Sequence, residues 1–359
     1  MAAYTTIDDP EAHFQCKIYT GNSSTQSITL DGDTDMQPDM IWFKMRSHAD
    51  NHVMIDSVRG TNKAFYPDIQ DAETTQTHYF TSFDSDGFGL GSSGIMNTSS
   101  RTYVAWCWKA GGSASSNSNG ANITSNVSAN TDAGFSIVSY TGDSNGASST
   151  IGHGLGQTPD LVILKPRSYA GAMWWAQKGR SDKVLEVSAT NAEVNPATSF
   201  GGGGLKHSTF TSTVFAGVAG TSNADLFNDN GETYMAYCYK SIKGFSKIGE
   251  YVGNGDSSNG PFVYTGFKPA FLIIKEANGS DVWAMYDNKR IGYNTANYTL
   301  EADGNGSEGT ATDRMHLLSN GFKITYNWTP INTSGQTYVY MAFAESPFVN
   351  SKGTPTTAR

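Results

Sequence analysis

The stretch Pro38-Asp39-Met40-Ile41-Trp42-Phe43-Lys44 occurs twice more in altered form, as Pro159-Asp160-Leu161-Val162-Ile163-Leu164-Lys165 and as Pro269-Ala270-Phe271-Leu272-Ile273-Ile274-Lys275. Each copy is a proline, a short apolar and partly β-branched run, and a lysine. Proline is tolerated at the first residue of a strand, and a short apolar run is typical of a buried strand. The stretch therefore predicts one buried strand in each of three repeated units.

The spacing around this stretch supports the repeat. A phenylalanine lies 24 residues before each proline (14 to 38, 135 to 159, 245 to 269), and an arginine lies 21 residues after each (38 to 59, 159 to 180, 269 to 290). The copies are offset by 121 residues (14 to 135) and by 110 residues (135 to 245). These offsets exceed the roughly 20–50 residues of solenoid and propeller repeats. Each copy is long enough for a core of its own, so the sequence predicts three tandem domains.

The composition favours β-structure. The chain has 39 glycines in 359 residues, is 12% aromatic and only 16% charged, whereas a typical soluble domain has about 25% charged residues. Each copy ends in a further strand of aromatic and small residues: Tyr103-Val104-Ala105-Trp106-Cys107-Trp108, Tyr234-Met235-Ala236-Tyr237-Cys238-Tyr239 and Tyr340-Met341-Ala342-Phe343-Ala344. We predict an all-β fold of three tandem β-sandwich, jelly-roll-like domains.

Composition also sets the predicted boundaries. They are an N-terminal arm (1–13), repeat 1 (14–110), a Gly/Ser/Asn-rich linker (111–131), repeat 2 (132–241), repeat 3 (242–349) and a C-terminal tail (350–359). The linker has almost no bulky residue, which predicts a flexible connection or a loose loop. The join between repeats 2 and 3 is short and predicts a fixed arrangement of these two.

Charge and hydropathy exclude several classes of protein. The formal net charge is −9 and lysines and arginines do not cluster, which disfavours binding to nucleic acid or to a membrane surface. The chain has no apolar run of roughly 18 residues that would span a bilayer. Its first residues lack the basic and apolar regions of a secretory signal, so we expect synthesis and folding in a cytoplasm.

No motif indicates catalysis. The chain contains no nucleophile elbow, zinc-protease, phosphate-loop or dinucleotide signature. Its three cysteines do not form a disulfide framework and are expected to be buried. His48 and His52 are four residues apart but do not recur in the other copies. We predict no catalytic, cofactor or metal site, and a protein that is not an enzyme.

Two other features invite a binding interpretation. The lysine and arginine recur in register as Lys44 with Arg59, Lys165 with Arg180 and Lys275 with Arg290. We favour a structural role, in which a strand-end lysine extends to solvent and the arginine pairs with a local carboxylate such as Asp56 or Asp287.

Trp174 and Trp175 are the candidate contact residues. Adjacent residues of a strand point to opposite faces, so one ring could be exposed and stack on a sugar. Packing against a neighbouring domain or subunit is the favoured alternative. The pair is therefore predicted to contact a glycan or a protein partner.

Several stretches together resemble a family of virion proteins of tailed bacteriophages, especially phages of marine bacteria and cyanobacteria. They are residues 4–10 with Phe14, the turn Tyr19-Thr20-Gly21-Asn22, residues 82–88, Tyr103-Val104-Ala105-Trp106 and residues 335–345. The resemblance covers all three copies. Repeat 3 departs from the other two copies at Ala270 and Ala344, where aspartate and cysteine are expected.

The resemblance implies a setting rather than an active site. It implies a non-enzymatic virion structural protein, a tail fibre or tail appendage, that contributes to particle assembly and host attachment. The alternatives are a capsid decoration or head-fibre protein and a glycan-binding adhesion module. The implied partners are further copies of the chain, with a homotrimer as the first expectation, other virion proteins and a host cell-surface glycan. The implied location is the virion, assembled in the host cytoplasm.

Overall fold

Antiparallel strands make up most of the ordered structure. The computed structural model describes residues 4–92, 94–199, 203–218, 227–290, 294, 298–311 and 313–356. The described helices are single turns: Pro10–Ala12, Gly94–Asn97, Gly146–Ser148, Pro196–Ser199, His207–Thr209 and Thr329–Asn332. The predicted all-β fold is confirmed.

Repeat 1 forms a four-stranded sheet, β1-β9-β3-β4, a three-stranded sheet, β2-β8-β7, and the short pair β5-β6. The strands are β1 (Phe14–Thr20), β2 (Gln26–Thr29), β3 (Met40–Met45), β4 (Val53–Asp56), β5 (Lys63–Ala64), β6 (Thr74–Thr75), β7 (Phe80–Asp84), β8 (Gly87–Leu90) and β9 (Thr102–Trp108).

Repeat 2, with the segment before it, forms a seven-stranded sheet, β10-β11-β12-β20-β14-β15-β16, and the short pairs β13-β18 and β17-β19. The strands are β10 (Ser115–Asn117), β11 (Ser125–Asn130), β12 (Phe135–Thr141), β13 (Ile151–Gly152), β14 (Leu161–Pro166), β15 (Trp174–Gln177), β16 (Val184–Glu186), β17 (Gly204–Leu205), β18 (Val214–Phe215), β19 (Gly217–Val218) and β20 (Thr233–Tyr239).

Repeat 3 forms a five-stranded sheet, β21-β28-β23-β24-β25, and a three-stranded sheet, β22-β27-β26. The strands are β21 (Ser246–Val252), β22 (Phe262–Tyr264), β23 (Phe267–Glu276), β24 (Ala284–Asp287), β25 (Leu300–Glu301), β26 (Met315–Leu318), β27 (Gly321–Ile324) and β28 (Thr337–Pro347).

The repeated apolar stretch forms the inner strand of each large sheet. β3, β14 and β23 each lie between the closing strand of their repeat (β9, β20 or β28) and the strand that follows in a hairpin (β4, β15 or β24). All of these pairs are antiparallel. The three large sheets, called the main sheets below, therefore share one strand order around the stretch.

Both faces of the inner strand are covered, but by different partners. In β3, Ile41 and Phe43 face a local core that also contains Phe80 and Phe88 of the small sheet. Met40 and Trp42, which alternate with them, face a large core that contains residues of all three repeats. Repeat 2 has a local core of its own as well. Repeats 1 and 2 thus each have a local core on one side of the main sheet and share a core on the other, and in repeat 3 both faces of the main sheet belong to the shared core.

A tyrosine corner joins the first strand of each repeat to its closing strand. The hydroxyl groups of Tyr19, Tyr140 and Tyr251 donate to the carbonyl oxygens of Met96, Phe227 and Ile331 at 2.6–2.8 Å. The same rings stack on Tyr103, Tyr234 and Tyr338 with centroids 5.0–5.2 Å apart. The corner explains why the Tyr-x-Gly turn recurs.

These stacks correct one alignment made from sequence. Tyr338, and not Tyr340, pairs with Tyr251 across the sheet, so Ala342 occupies the position of Cys107 and Cys238. The prediction aligned the strand two residues too far along because period-two patterns look alike after a shift of two.

The predicted linker is not a free connection. It contains β10 and β11, and Asn126 to Asn130 pair with Ser139 to Phe135 of β12. Val127 and Ser128 are buried. The sequence did not predict β11 because Val127 is its one bulky side chain, and the small polar residues around it give no clear alternation of apolar and polar positions.

The predicted arm is packed against repeat 3. Thr5 and Ile7 are buried, and Ile7 belongs to the large core. The C-terminal tail lies beside the arm, where Ser351 donates from its amide to the carboxylate of Asp8 at 2.6 Å. Residues 1–3 and 357–359, at the two outer ends of these predicted segments, lie outside the described residues.

Candidate binding surface and the contacts between repeats

The three repeats contact one another in a closed cycle. In each repeat, the backbone N–H of one glutamate donates to a backbone carbonyl oxygen at the end of the next repeat's inner strand. These hydrogen bonds run from Glu73 to Arg167, from Glu193 to Ala277 and from Glu308 to Arg46, at 2.8–2.9 Å. The acceptors all lie two residues after the recurrent lysine. Repeat 1 therefore contacts repeat 2, repeat 2 contacts repeat 3, and repeat 3 contacts repeat 1. Like contacts that return to their start form a ring, here with approximate threefold symmetry in one chain.

The same glutamates form ion pairs at the ring contacts. Glu73 accepts from Arg167 of repeat 2 at 2.8 Å and lies 3.5 Å from Arg59 of its own repeat. Glu308 likewise binds Arg46 of repeat 1 and Arg290 of its own repeat at 3.0 Å.

The contact of repeat 2 with repeat 3 lacks one of these arginines, because Ala277 occupies the position. Glu193 binds Arg180 and Lys183 of its own repeat at 2.7 and 3.0 Å. Arg180 then reaches Glu250 of repeat 3 at 2.9 Å.

A second set of polar contacts crosses the shared core. Tyr237 of repeat 2 donates to the Asp56 carboxylate of repeat 1 at 2.8 Å, and the Trp106 indole of repeat 1 donates to Asp287 of repeat 3 at 3.0 Å. At the third contact the corresponding positions hold Gln177 and Met341. Met341 has no hydrogen-bond donor, and the neutral amide of Gln177 takes the place of a buried carboxylate that would need a donor.

The recurrent arginines support these carboxylates, as predicted. Arg59 donates to Asp56, and Arg290 donates to Asp287, both at 2.6 Å. Neither pair reaches solvent, since the side chains are 0–1% exposed. The neighbouring carboxylate favours the charged form of Arg59 and Arg290, so both stay charged despite burial.

The prediction that the recurrent lysines reach solvent is wrong. Lys44, Lys165 and Lys275 are 0–1% exposed. The Lys44 amine donates to Asn305 O of repeat 3 at 3.2 Å, and the Lys165 amine donates to Ile69 O of repeat 1 at 3.2 Å. The Lys275 amine donates to Glu276 O and Gly279 O of its own repeat. Burial lowers the pKa of each lysine to about 8.

His52 has a structural role at the contact between repeats 1 and 3. Its Nδ1 accepts from the Trp42 indole at 2.8 Å, which leaves Nε2–H to donate to Glu301 O of repeat 3 at 3.0 Å. Burial holds the pKa of His52 well below its usual value. Within the described residues, no three His, Cys, Asp or Glu side chains are grouped so as to hold a metal ion.

Repeat 3 carries an exposed pair of aromatic rings. Phe262 and Tyr264 of β22 are 46% and 53% exposed, whereas Val263 between them is buried. The corresponding positions of repeat 1 are Ser27 and Thr29, because Ile28 pairs with Phe88 as Val263 pairs with Phe322. The aromatic pair is thus an addition to the common fold rather than part of it.

A cavity of about 260 Å³ lies beside this pair, between the N-terminal segment and repeat 3. Tyr4, Lys243, Lys247, Tyr264 and Gly266 line it with three further residues. The Lys243 amine lies 4.4 Å from the centroid of the Tyr4 ring. Neither lysine has an ion-pair partner among the residues that the structure describes. We call Tyr4, Lys243, Lys247, Phe262 and Tyr264 the aromatic–lysine surface.

One family model, described as "Domain of unknown function (DUF7483)", matches residues 9–347. The chain belongs to the DUF7483 family. The match spans all three repeats of this chain. The search of curated proteins and the search of solved structures found no match. Among the described helices of this family member, none is long and apolar enough to cross a membrane.

The two tryptophans predicted as contacts are both largely buried. Trp175 is 1% exposed and packs against Trp283 of repeat 3 with ring centroids 5.2 Å apart. It therefore forms a contact between repeats, which is the alternative that the sequence favoured. Trp174 is 6% exposed and lines a separate cavity of about 160 Å³ with Glu186, Val194 and others.

The aromatic–lysine surface was missed in the sequence, although a signal exists. Pro261-Phe262-Val263-Tyr264 alternates with period two, and Val263 is the residue that fits a core. Two aromatic residues on the outer face of a short strand are a binding signal. The lysines could not be found this way, because Lys243 and Tyr4 meet only through the tertiary fold.

Proposed function

We propose that this member of the DUF7483 family is a non-enzymatic virion structural protein of a tailed bacteriophage. Its place is a tail fibre or tail appendage, where it contributes to particle assembly and host attachment. The motifs that resemble phage virion proteins include the Tyr-x-Gly turn, which forms the tyrosine corner within each repeat. They also include closing strands, which contribute Trp106 and Tyr237 to the contacts between repeats.

The observation that supports this proposal best is the use of the recurrent polar residues. The lysines, the arginines and their carboxylate partners are taken up by contacts within and between repeats, with Asp56 and Asp287 fully buried. Side chains held in this way stabilise a rigid body and do not face a substrate. A rigid body with exposed loops suits a part of a particle that must withstand mechanical and chemical stress.

The proposal includes partners and location. The protein is assembled into the virion in the host cytoplasm, where it contacts other virion proteins and further copies of itself. A host cell-surface glycan is the proposed attachment target, and the aromatic–lysine surface replaces the tryptophan pair as the place to seek it.

Immuno-electron microscopy of intact virions tests the location. Antibodies raised against the purified chain should label the tail or its appendages. Labelling spread over the head would instead support a capsid decoration or head-fibre protein, and unlabelled virions would overturn the proposal.

The second candidate is a glycan-binding adhesion module. The exposed pair Phe262 and Tyr264 favours it, because rings at these positions are absent from the matching face of repeat 1. Adsorption of virions to host cells in the presence and absence of excess purified chain tests this candidate. Competition would support it, and unchanged adsorption would count against it.

A further inference from the structure

We propose that the aromatic–lysine surface binds a carboxylated polysaccharide, one sugar residue of which occupies the cavity beside Tyr264. The inference rests on the attachment part of the proposed function and names the class of ligand. It uses three features of the surface: the exposed rings, the arrangement of hydroxyl protons and the unpaired lysines.

The rings provide an apolar platform. Phe262 and Tyr264 are two residues apart on β22, so they point to the same side of the small sheet at strand spacing. Tyr and Phe rings present flat, weakly hydrated faces on which the C–H face of a sugar can stack. A platform two rings long suits a polymer better than a single small molecule.

The two tyrosine hydroxyl groups of the cavity are arranged so that the Tyr264 oxygen can accept a hydrogen bond from a ligand. Tyr4 Oη lies 3.1 Å from Gly266 O, to which it can only donate, and 2.8 Å from Tyr264 Oη. Each phenol has one proton. With the Tyr4 proton on Gly266 O, Tyr264 must donate to Tyr4, which leaves the Tyr264 oxygen as an acceptor for a sugar hydroxyl.

Gly266 makes this arrangement possible. Its φ is +88°, and a Cβ there would lie 3.0 Å from Tyr4 Oη and 3.5 Å from Tyr264 Oη. Any other residue would be strained at this φ and would crowd the Tyr4 hydroxyl.

The lysines specify a negative ligand. Lys243 and Lys247 line the cavity with no carboxylate within ion-pair distance among the described residues, although the chain as a whole has a net charge of −9. Two ammonium groups beside an acceptor hydroxyl match a ligand that has both hydroxyls and a carboxylate. The cavity is slightly smaller than the roughly 300–1,000 Å³ of pockets that enclose a drug-sized ligand, which fits one sugar residue of a chain.

Isothermal titration calorimetry with oligogalacturonate as the probe tests the inference on the full chain. The matched control probe is the methyl ester of the same oligosaccharide, which keeps the sugar hydroxyls and removes the charge. Binding of the acid and loss of most of that affinity with the ester are expected. Equal binding of both probes, or binding of neither, would overturn the inference.

Variants locate the site. Phe262→Ser with Tyr264→Thr gives repeat 3 the residues that repeat 1 has at these positions, and Lys243→Gln with Lys247→Gln removes the charge. Each double variant should weaken binding by roughly tenfold or more, since charged hydrogen bonds and aromatic contacts are each expected to contribute on this scale. Tyr326→Thr and Lys178→Gln, which change exposed residues elsewhere, should bind as the parent does.

Two results separate this inference from the proposed function. Tail labelling without oligogalacturonate binding would overturn the ligand class and leave the virion assignment standing. Binding that the surface variants abolish, in a chain that does not occur on virions, would support the site and overturn the assignment. Unchanged binding by both double variants would place the ligand elsewhere and overturn the inference.

Discussion

At the scale of single residues, the buried lysines are the most unusual feature. The ammonium groups of Lys44, Lys165 and Lys275 bind carbonyl oxygens, and among the described residues none of them has a carboxylate within ion-pair distance. A buried charge held by dipoles alone loses much of its hydration energy. The three lysines therefore stabilise the folded chain less well in their charged form than they would in their neutral form.

This predicts a pH dependence of stability. The pKa of Lys44 is about 8 in the folded chain, compared with 10.5 for an unperturbed lysine. The side chain of Lys44 thus binds more protons in the unfolded chain between these values, so its contribution to the free energy of unfolding should rise with pH from about 8 towards 10. Lys44→Met should reduce this rise by about 2 kcal/mol between pH 7 and 9.5, from the shift in pKa.

Urea unfolding at several pH values measures this rise. Asp68, near Lys44, has its pKa raised by burial to about 6, so it titrates below the pH range in which the rise is expected. Buried tyrosines such as Tyr19 have raised pKa values, and they lower stability only at higher pH, where unfolded tyrosine ionises. Lys268→Met, at a lysine whose side chain is 29% exposed, is the control. An identical slope in Lys44→Met and the parent would contradict the prediction.

The Tyr237–Asp56 hydrogen bond gives a second prediction at this scale. Tyr237→Phe leaves the ring in the shared core and removes one donor from a buried carboxylate. The loss should be about 1–3 kcal/mol in the free energy of unfolding. Tyr326→Phe, at a 49% exposed tyrosine, should have almost no effect. If both variants unfold like the parent, Arg59 alone satisfies Asp56.

At the scale of elements, the turn after the first strand is the most constrained. Gly21, Gly142 and Gly253 follow the corner tyrosines by two residues, and a Cβ at each would lie 2.2–2.3 Å from a backbone oxygen of the turn before the closing strand. Backbone cannot yield as a flexible side chain does. Glycine is therefore required here by close approach.

Gly142→Ala tests this requirement. The added methyl group would meet Asp229 O at 2.2 Å, which should separate the corner from the closing strand and cost about 2–3 kcal/mol, typical of overpacking. Gly306→Ala is the matched control, because nothing lies within 4 Å of its added Cβ. Thermal unfolding followed by circular dichroism measures both. Equal melting temperatures would show that the corner tolerates a Cβ.

At the scale of the whole molecule, the three repeats form one ring around a shared core, whereas the sequence predicted three tandem domains. The shared core includes Trp42 and Trp106 of repeat 1, Trp175 of repeat 2 and Phe271 of repeat 3. The three repeats of one chain are arranged with approximate threefold symmetry. The homotrimer itself stays a prediction, which light scattering of the purified chain can test.

The shared core predicts cooperative folding. Repeat 1 alone, residues 14–110, would expose the face that carries Trp42, Trp106 and Trp108, a large apolar patch. We expect the full chain to unfold in one calorimetric transition and the isolated repeat to associate or remain unfolded. A monomeric isolated repeat with its own sharp transition would show that the copies are separate domains after all.

The sequence by itself determined the repeated inner strands and their spacing, but not β10 and β11. Alternation and spacing located β3, β14 and β23, because a buried strand leaves a pattern in its own residues. The arginine–carboxylate pairs were also predicted, since Arg59 and Asp56 are three residues apart and meet locally.

Only the tertiary structure decided what covers each face. Lys44 is buried by Asn305 and Trp175 by Trp283, partners more than a hundred residues away in the chain. A strand that is apolar on both faces predicts that both faces are buried, but it does not predict which residues cover them. The ring, the buried lysines and the surface formed by Tyr4 with Tyr264 depend on such distant contacts, and no local pattern records them.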